Sequence, residues 1–396
     1  MKTFNSKFTR RRVLTSAAGV AGGAAVMSVA APFVARAAET IKLGVLLPFS
    51  GGLELFGQQG TQGIGMAVDE ANAAGGVLGR QIEIVKADNR TDPKTSVERA
   101  AQLIQRDKVH AIIGPVTSAA RDAIKSTVER YKTPLLYATD YEGGVCSKTI
   151  SCYSALPAHY VDPLMPYLQE TVGESFYLFG ADYVWPQQMN KAIRRVIEGA
   201  NGTVVGEEYT PFGMKDFATT IRKIEESGAK CVVLTVPGAD GITFVKQFTA
   251  AGMKSKCRIA FMGFNENYLP GLSDEESNGI IGCSHFIQTL DRPEAHDFVA
   301  RQKAKFGDDV TVSYYVDSHY GITKFFIEAI RRADSDQKDK IMAALPGQTL
   351  TVGNGEVTLR PEDLHVDLNM LIFEAQGGKL NQQKYIGRIS APSQCA

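Results

Sequence analysis

The residues able to do chemistry in this chain gather where apolar runs break off. Val109–Ile113 stops at Gly114-Pro115-Val116-Thr117-Ser118, which opens an amphipathic stretch. A helix beginning there presents unpaired backbone N–H groups. Thr117 and Ser118 add hydroxyls, so the corner suits a carboxylate or carbonyl oxygen as well as a plain N-cap. A later run ends in Tyr137-Ala138-Thr139-Asp140-Tyr141-Glu142-Gly143. Its acids accept hydrogen bonds from an ammonium or amide group, or else form caps and turns. Gly180-Ala181-Asp182-Tyr183-Val184-Trp185-Pro186 carries the only tryptophan of the chain. An aromatic pair at the end of such a run lines a cleft more readily than it fills a core. Asp240, after Val236-Pro237-Gly238, and Asn265-Glu266, after Met262-Gly263-Phe264, complete a ring of polar groups at run ends.

Catalytic patterns are absent. No G-x-x-x-x-G-K-[ST], G-x-S-x-G or H-E-x-x-H occurs, and Gly60, Gly63 and Gly65 do not form a dinucleotide fingerprint after a strand. Ser227-Gly-Ala-Lys230 matches S-x-x-K only across the end of a helix. The six histidines are scattered and no C-x-x-C is present, so the reading holds no metal, no cofactor and no catalytic residue. A binding protein, not an enzyme, is expected.

The elements that must position these groups follow from periodicity. Strands at Ile41–Leu47, Gln81–Val85, Val109–Ile113 and Pro134–Tyr137 alternate with helices at Gln58–Ala73, Thr91–Gln105 and Ser118–Tyr131. Asp92-Pro93 supplies an N-cap and a first-turn proline. A second series begins after Leu156-Pro157: strands at Ser175–Phe179, Thr203–Glu208, Cys231–Val236 and Arg258–Phe261, between helices at Tyr160–Thr171, Pro186–Glu198, Asp216–Ser227 and Ile242–Ala251. Two long helices, Pro293–Phe306 and Val316–Ala333, a short one near Gln337–Leu345 and strands with glycine turns close the chain. The predicted class is α/β, with two doubly wound parallel-sheet lobes joined by a multi-strand hinge. One lobe takes residues 38–156 plus 285–346, the other 157–284 plus 347–396. The chain crosses near Ala155–Ala158, Gly282–Phe286 and Pro346–Gly355. Ligands of open α/β sheets sit beyond the carboxyl ends of strands, so the site is expected in the cleft between lobes.

Composition agrees. The 396 residues are 44% hydrophobic, enough for two or three cores, and 43 basic residues balance 43 acidic ones. That balance argues against nucleic-acid binding. Residues 1–37 hold six cations and no acid; without them 37 basic residues face 43 acidic ones. Thr9-Arg10-Arg11-Arg12-Val13-Leu14, a weakly apolar stretch and Ala35-Arg36-Ala37 read as a twin-arginine export signal cleaved near Ala37. The remaining chain is expected in the periplasm as a monomer. There Cys146 and Cys152, flanking a short loop, are expected to form a disulfide. Cys231 and Cys257 either pair or stay as core thiols.

At these residues the chain resembles the type I periplasmic solute-binding proteins of ABC importers, the branched-chain amino acid group, over about residues 40–390. The likeness rests on Gly44-Val45-Leu46-Leu47-Pro48-Phe49-Ser50-Gly51, Ala71-Asn72-Ala73-Ala74-Gly75-Gly76-Val77-Leu78-Gly79 and Gly114-Pro115-Val116-Thr117-Ser118. Tyr141-Glu142-Gly143 and Gly180–Pro186 look like its urea and short-chain amide branch. The resemblance implies that Ser118 and Thr139 hydrogen-bond the ligand, that Tyr137, Tyr183 and Trp185 line it, and that Phe56 covers it. Asn265 or Glu266 then stands where amino-acid binders place an acid for the α-ammonium. Two residues depart from the branch: Asp140 replaces a proline and Val116 an aromatic residue, and the extra acid favours a positively charged group. The implied function is capture of a urea, short-chain amide or amino acid for an ABC permease. The alternative is a ligand-sensing protein of the same fold feeding a receptor or regulator.

Overall fold

A computed structural model describes residues 39–395; the export segment read at residues 1–37 lies outside them. The first lobe opens with β1 (Ile41–Leu47), whose residues are almost wholly buried, as expected of a central parallel strand covered on both faces. It continues through α1 (Glu54–Ala73), β2 (Ile82–Asp88), α2 (Pro93–Gln105), β3 (Ala111–Ile113), α3 (Ser118–Arg130), β4 (Leu135–Tyr137) and β5 (Ile150–Cys152). These strands form a parallel sheet in the order β2-β1-β3-β4-β5. Asp92 caps α2 by accepting from the Thr95 N–H at 2.6 Å, with Pro93 in the first turn.

The second lobe comprises α4 (Pro157–Thr171), β6 (Ser175–Ala181), α5 (Val184–Gly199), β7 (Thr203–Thr210), α6 (Ala218–Ser227), β8 (Cys231–Thr235), α7 (Ala239–Ala250), β9 (Arg258–Phe261), α8 (Asp274–Ser277) and β10 (Ile280–Ser284). Then come α9 (Pro293–Phe306), α10 (Tyr314–Ala333), α11 (Lys338–Ala344), β11 (Thr349–Val352), β12 (Gly355–Thr358), β13 (Leu368–Gln376) and β14 (Lys379–Ile389). The second sheet runs β14-β13-β10-β9-β8-β6-β7, parallel from β10 to β7, with β13 and β14 added antiparallel.

Helix α10 returns to the first lobe and packs along α1. The approach is close: a Cβ on Gly63 would lie 2.3 Å from the Val316 carbonyl oxygen. Gly60 and Gly63 of α1, both facing α10, therefore serve helix packing. The β11–β12 hairpin, assigned from sequence to the second lobe, instead packs through β11 on α9 and α10, with Val352 and Val357 buried. The chain thus passes to the second sheet between Leu359 and Leu368, beside the first crossing, where the Cys152 N–H bonds the Leu364 carbonyl at 2.8 Å.

The cysteine pairing differs from the expectation. Cys146 is joined to Cys395, not to Cys152. Cys152 is the last residue of β5, registered against Tyr137 and fully buried, so its thiol faces the core. Cys146 lies in an exposed loop against the C-terminal segment, where the Gly144 N–H donates to Gln394 Oε1 at 2.7 Å. Cys152, Cys231, Cys257 and Cys283 are free and buried, and burial pushes the Cys152 and Cys257 thiols up to about 12.

Candidate functional site

The lobes meet over a cleft with about 540 Å³ of atom-free space, its mouth included. They are drawn together: α3 touches α5, and the turn before α7 abuts the loop before α1. Gly238 sits in that turn at φ +74°, and a Cβ there would fall 2.9 Å from the Gly52 carbonyl oxygen. Only glycine suits both the conformation and the contact.

The first lobe supplies a polar floor. Thr117 caps α3, its hydroxyl accepting from the Ala120 N–H at 3.2 Å. Ser118 is buried and donates its hydroxyl hydrogen to Glu142 Oε2 at 2.7 Å, which leaves the oxygen lone pairs free to accept. Glu142 is held from behind by Arg121 at 3.4 Å. Arg121 is itself buried, its guanidinium 4.4 Å from the centre of the Tyr141 ring and 5.0 Å from that of Tyr137. Thr139 pairs its hydroxyl with that of Tyr315 at 3.1 Å.

Asp140 is the acid of the cleft. One carboxylate oxygen accepts the Ala155 N–H at 2.7 Å, and burial pushes the carboxyl up to about 7. Among the described residues, no Arg, Lys or His side chain lines the cleft beside it.

Aromatic rings make the walls. Phe56 and Tyr314 come from α1 and α10; Tyr160, Tyr183, Trp185 and Tyr268 come from the second lobe. Tyr183 precedes α5 and lies between Phe212 and Trp185, with ring centres 5.0 and 6.5 Å away. Trp185 is buried, and its indole Nε1 has no hydrogen-bond partner among the described residues.

Six of the residues read from sequence thus line one cleft: Phe56, Ser118, Thr139, Asp140, Tyr183 and Trp185. Four do not. Tyr137 lies beneath the floor, donating to the Val116 carbonyl at 2.8 Å. Asp240 anchors the loop after β7 by accepting the Gly213 N–H at 2.7 Å. Asn265 caps the following turn by accepting from the Asn267 N–H at 3.0 Å. Glu266 faces away from the cleft and accepts the Gln288 N–H at 2.5 Å. Each is occupied with a backbone group. Tyr160, Tyr268 and Tyr314 were not anticipated. Tyr314 offered one signal, standing at the start of a long helix with a broad apolar face. Among the described residues no cluster of His, Cys, Asp and Glu could hold a metal ion, and no helix is long and apolar enough to cross a membrane.

Two α/β lobes with three connecting crossings and a closed cleft at the strand carboxyl ends define a two-lobed solute-binding protein. The chain belongs to the periplasmic binding protein family, whose model matches residues 40–379. It is 25% identical over 393 residues to Leu/Ile/Val-binding protein homolog 8 of Brucella suis, covering 91% of this chain and 94% of that one. An ABC transporter substrate-binding protein from Sphaerobacter thermophilus superposes with a TM-score of 0.78 at 24% identity, covering 90% and 99% of the two chains. A solute-binding protein from R. palustris in complex with benzoate gives 0.83 at 18% identity, with 90% and 99% covered. The branched-chain amino acid transporter substrate-binding protein of Streptococcus pneumoniae, in complex with isoleucine, gives 0.79 at 22%, with 88% and 100% covered. These relatives and neighbours are named as binding proteins, and this chain shares their family and fold.

Proposed function

We propose that this protein is the periplasmic substrate-binding component of an ABC transporter, capturing a small nitrogen-bearing solute of the urea, short-chain amide or amino acid type. The lobes assigned from sequence, with the hairpin moved to the first, close over the solute, and a monomer then presents it to an inner-membrane permease. Residues 1–37 direct export. Relatives and structural neighbours named for transporter binding proteins support the transport role.

The observation that carries the ligand reading is Asp140, a carboxyl in an aromatic cleft without a positive side chain beside it. Ser118, its hydrogen given to Glu142, is a second acceptor. Both ask the ligand for N–H groups, and the indole N–H of Trp185 asks it for an acceptor oxygen. A benzoate-like anion would instead meet Asp140 unscreened.

A thermal-shift panel on the purified protein tests this, with urea, small amides, amino acids and aromatic acids. A ligand that binds only the folded state raises the melting temperature by mass action. Shifts with nitrogen-bearing solutes are expected; a shift with aromatic acids alone would overturn the ligand reading.

A further inference from the structure

Urea and an amino acid both offer N–H groups, but the cleft distinguishes them by charge. Asp140 has one oxygen on the Ala155 N–H, and among the described residues no cationic side chain lines the cleft with it. The ionisable side chains that face it are Tyr153 after β5, Tyr160 on α4, Cys283 on β10, and Tyr314 and Tyr315 on α10. All five are neutral at ordinary pH, held so by burial. Arg121, the cation of the neighbouring floor, is paired with Asp122 and Glu142 and stacked under Tyr137 and Tyr141. An ionised carboxylate in such a place needs a positive partner, and among the described residues none lines the cleft beside it.

The rest of the lining fits the same partner. Six aromatic side chains, three of them identified only in the structure, surround the space next to Asp140. Ring faces attract a cation most strongly where water is excluded. One of the six, Trp185, also has an indole N–H without a hydrogen-bond partner among the described residues, able to meet an oxygen.

Resting on the binding-protein reading above, we infer that the ligand is an organic cation: a positively charged nitrogen held by Asp140 among the aromatic rings, on a molecule that also carries an acceptor oxygen. Asp140, on the first lobe, is the residue that selects the charge.

Calorimetric titration of the intact mature protein at pH 7.5 with isosteric pairs tests this. Glycinamide, a cation near neutral pH, is paired with propionamide; choline is paired with 3,3-dimethyl-1-butanol. Within a pair, size and oxygen are matched and charge differs. The cation is expected to bind at least about tenfold tighter, which is about 1.4 kcal/mol. Asp140→Asn should abolish that preference, the cation losing at least about tenfold relative to its neutral partner. Wild type alone gives a second readout should the variant not fold. Choline keeps its charge at every pH, so its advantage should shrink from pH 8 to pH 5.5 as Asp140 takes up a proton. Equal or tighter binding of the neutral members would overturn the inference and leave the amide reading standing. Binding of amino acids with both pairs silent would overturn it as well. Silence from every compound would remove the cleft as a ligand site, and the inference with it.

Discussion

At the scale of single residues, the site depends on whether a polar atom is already satisfied by the protein. Tyr183 has no structural duty of that kind; it stands half-buried between Phe212 and Trp185. Tyr183→Ala should weaken ligand binding about tenfold or more, since an aromatic wall contributes both area and stacking. The melting temperature without ligand should hardly move. Unchanged affinity in calorimetry would remove Tyr183 from the site. Asp140 makes the opposite prediction, because it costs stability. Its carboxyl, like those of Glu266 and Asp317, is pushed up to about 7 by burial. The folded state therefore holds these protons more tightly than the unfolded chain does. The stability they lend is complete below the ordinary carboxylate range and fades as pH rises toward 7. Asp140→Asn keeps the oxygen that accepts from Ala155 and removes the charge. Its stabilisation relative to wild type should be larger at pH 8 than at pH 5. The buried His159, His285 and His319, pushed down by burial, respond to pH in the other sense, but they are common to both proteins and cancel in the difference. A difference in melting temperature that fails to grow with pH would count against an uncompensated Asp140.

At the scale of elements, most of the architecture was legible. The bounds of β1, β9, α9 and β11 are those read from sequence, because their ends carry glycine, proline or abrupt polarity changes. The short β5 was missed: Ile150–Cys152 offers three residues and no periodicity to read. The β11–β12 hairpin went to the wrong lobe because its alternation fixes a buried face without naming the surface that buries it. The site divides in the same way. Asp140, Tyr183 and Trp185 lie within a few residues of strand ends, where a sequence reading reaches them, and all three line the cleft. Tyr160 and Tyr268 depend on how the second lobe is turned over the first, which no local pattern encodes. Disulfide connectivity is likewise a matter of tertiary proximity. Three predictions belong here. Peptide mapping without reductant should recover Cys146 linked to Cys395, with Cys152 alkylated only after unfolding. Cys395→Ser should lower stability by about 2–5 kcal/mol, as for other native disulfides. Gly238→Ala, which sets a methyl against Gly52 in the closed arrangement, should cost affinity through impaired closure. Wild-type affinity in that variant would show that the turn yields.

At the scale of the molecule, the described arrangement is a closed one, with ligand-facing groups contributed by both lobes. A ligand that bridges them shifts the equilibrium toward closure by its preference for that state. Small-angle scattering should accordingly give a smaller radius of gyration with a saturating ligand than without one. Identical values would mean that binding does not depend on lobe movement. The walls of the cleft differ in what stands behind them. Fifteen of the twenty residues of α10 are buried, so Tyr314 is mounted on a helix that also forms the interior of its lobe. Across the cleft, Tyr183 and Trp185 belong to the turn entering α5, with exposed Val184 between them. The two walls are therefore unequal substrates for evolution. Saturation mutagenesis under selection for a new solute should accumulate accepted changes at 182–185 and almost none at 314–318. Lineages of this fold can then retune specificity from one side while the other keeps the lobe intact.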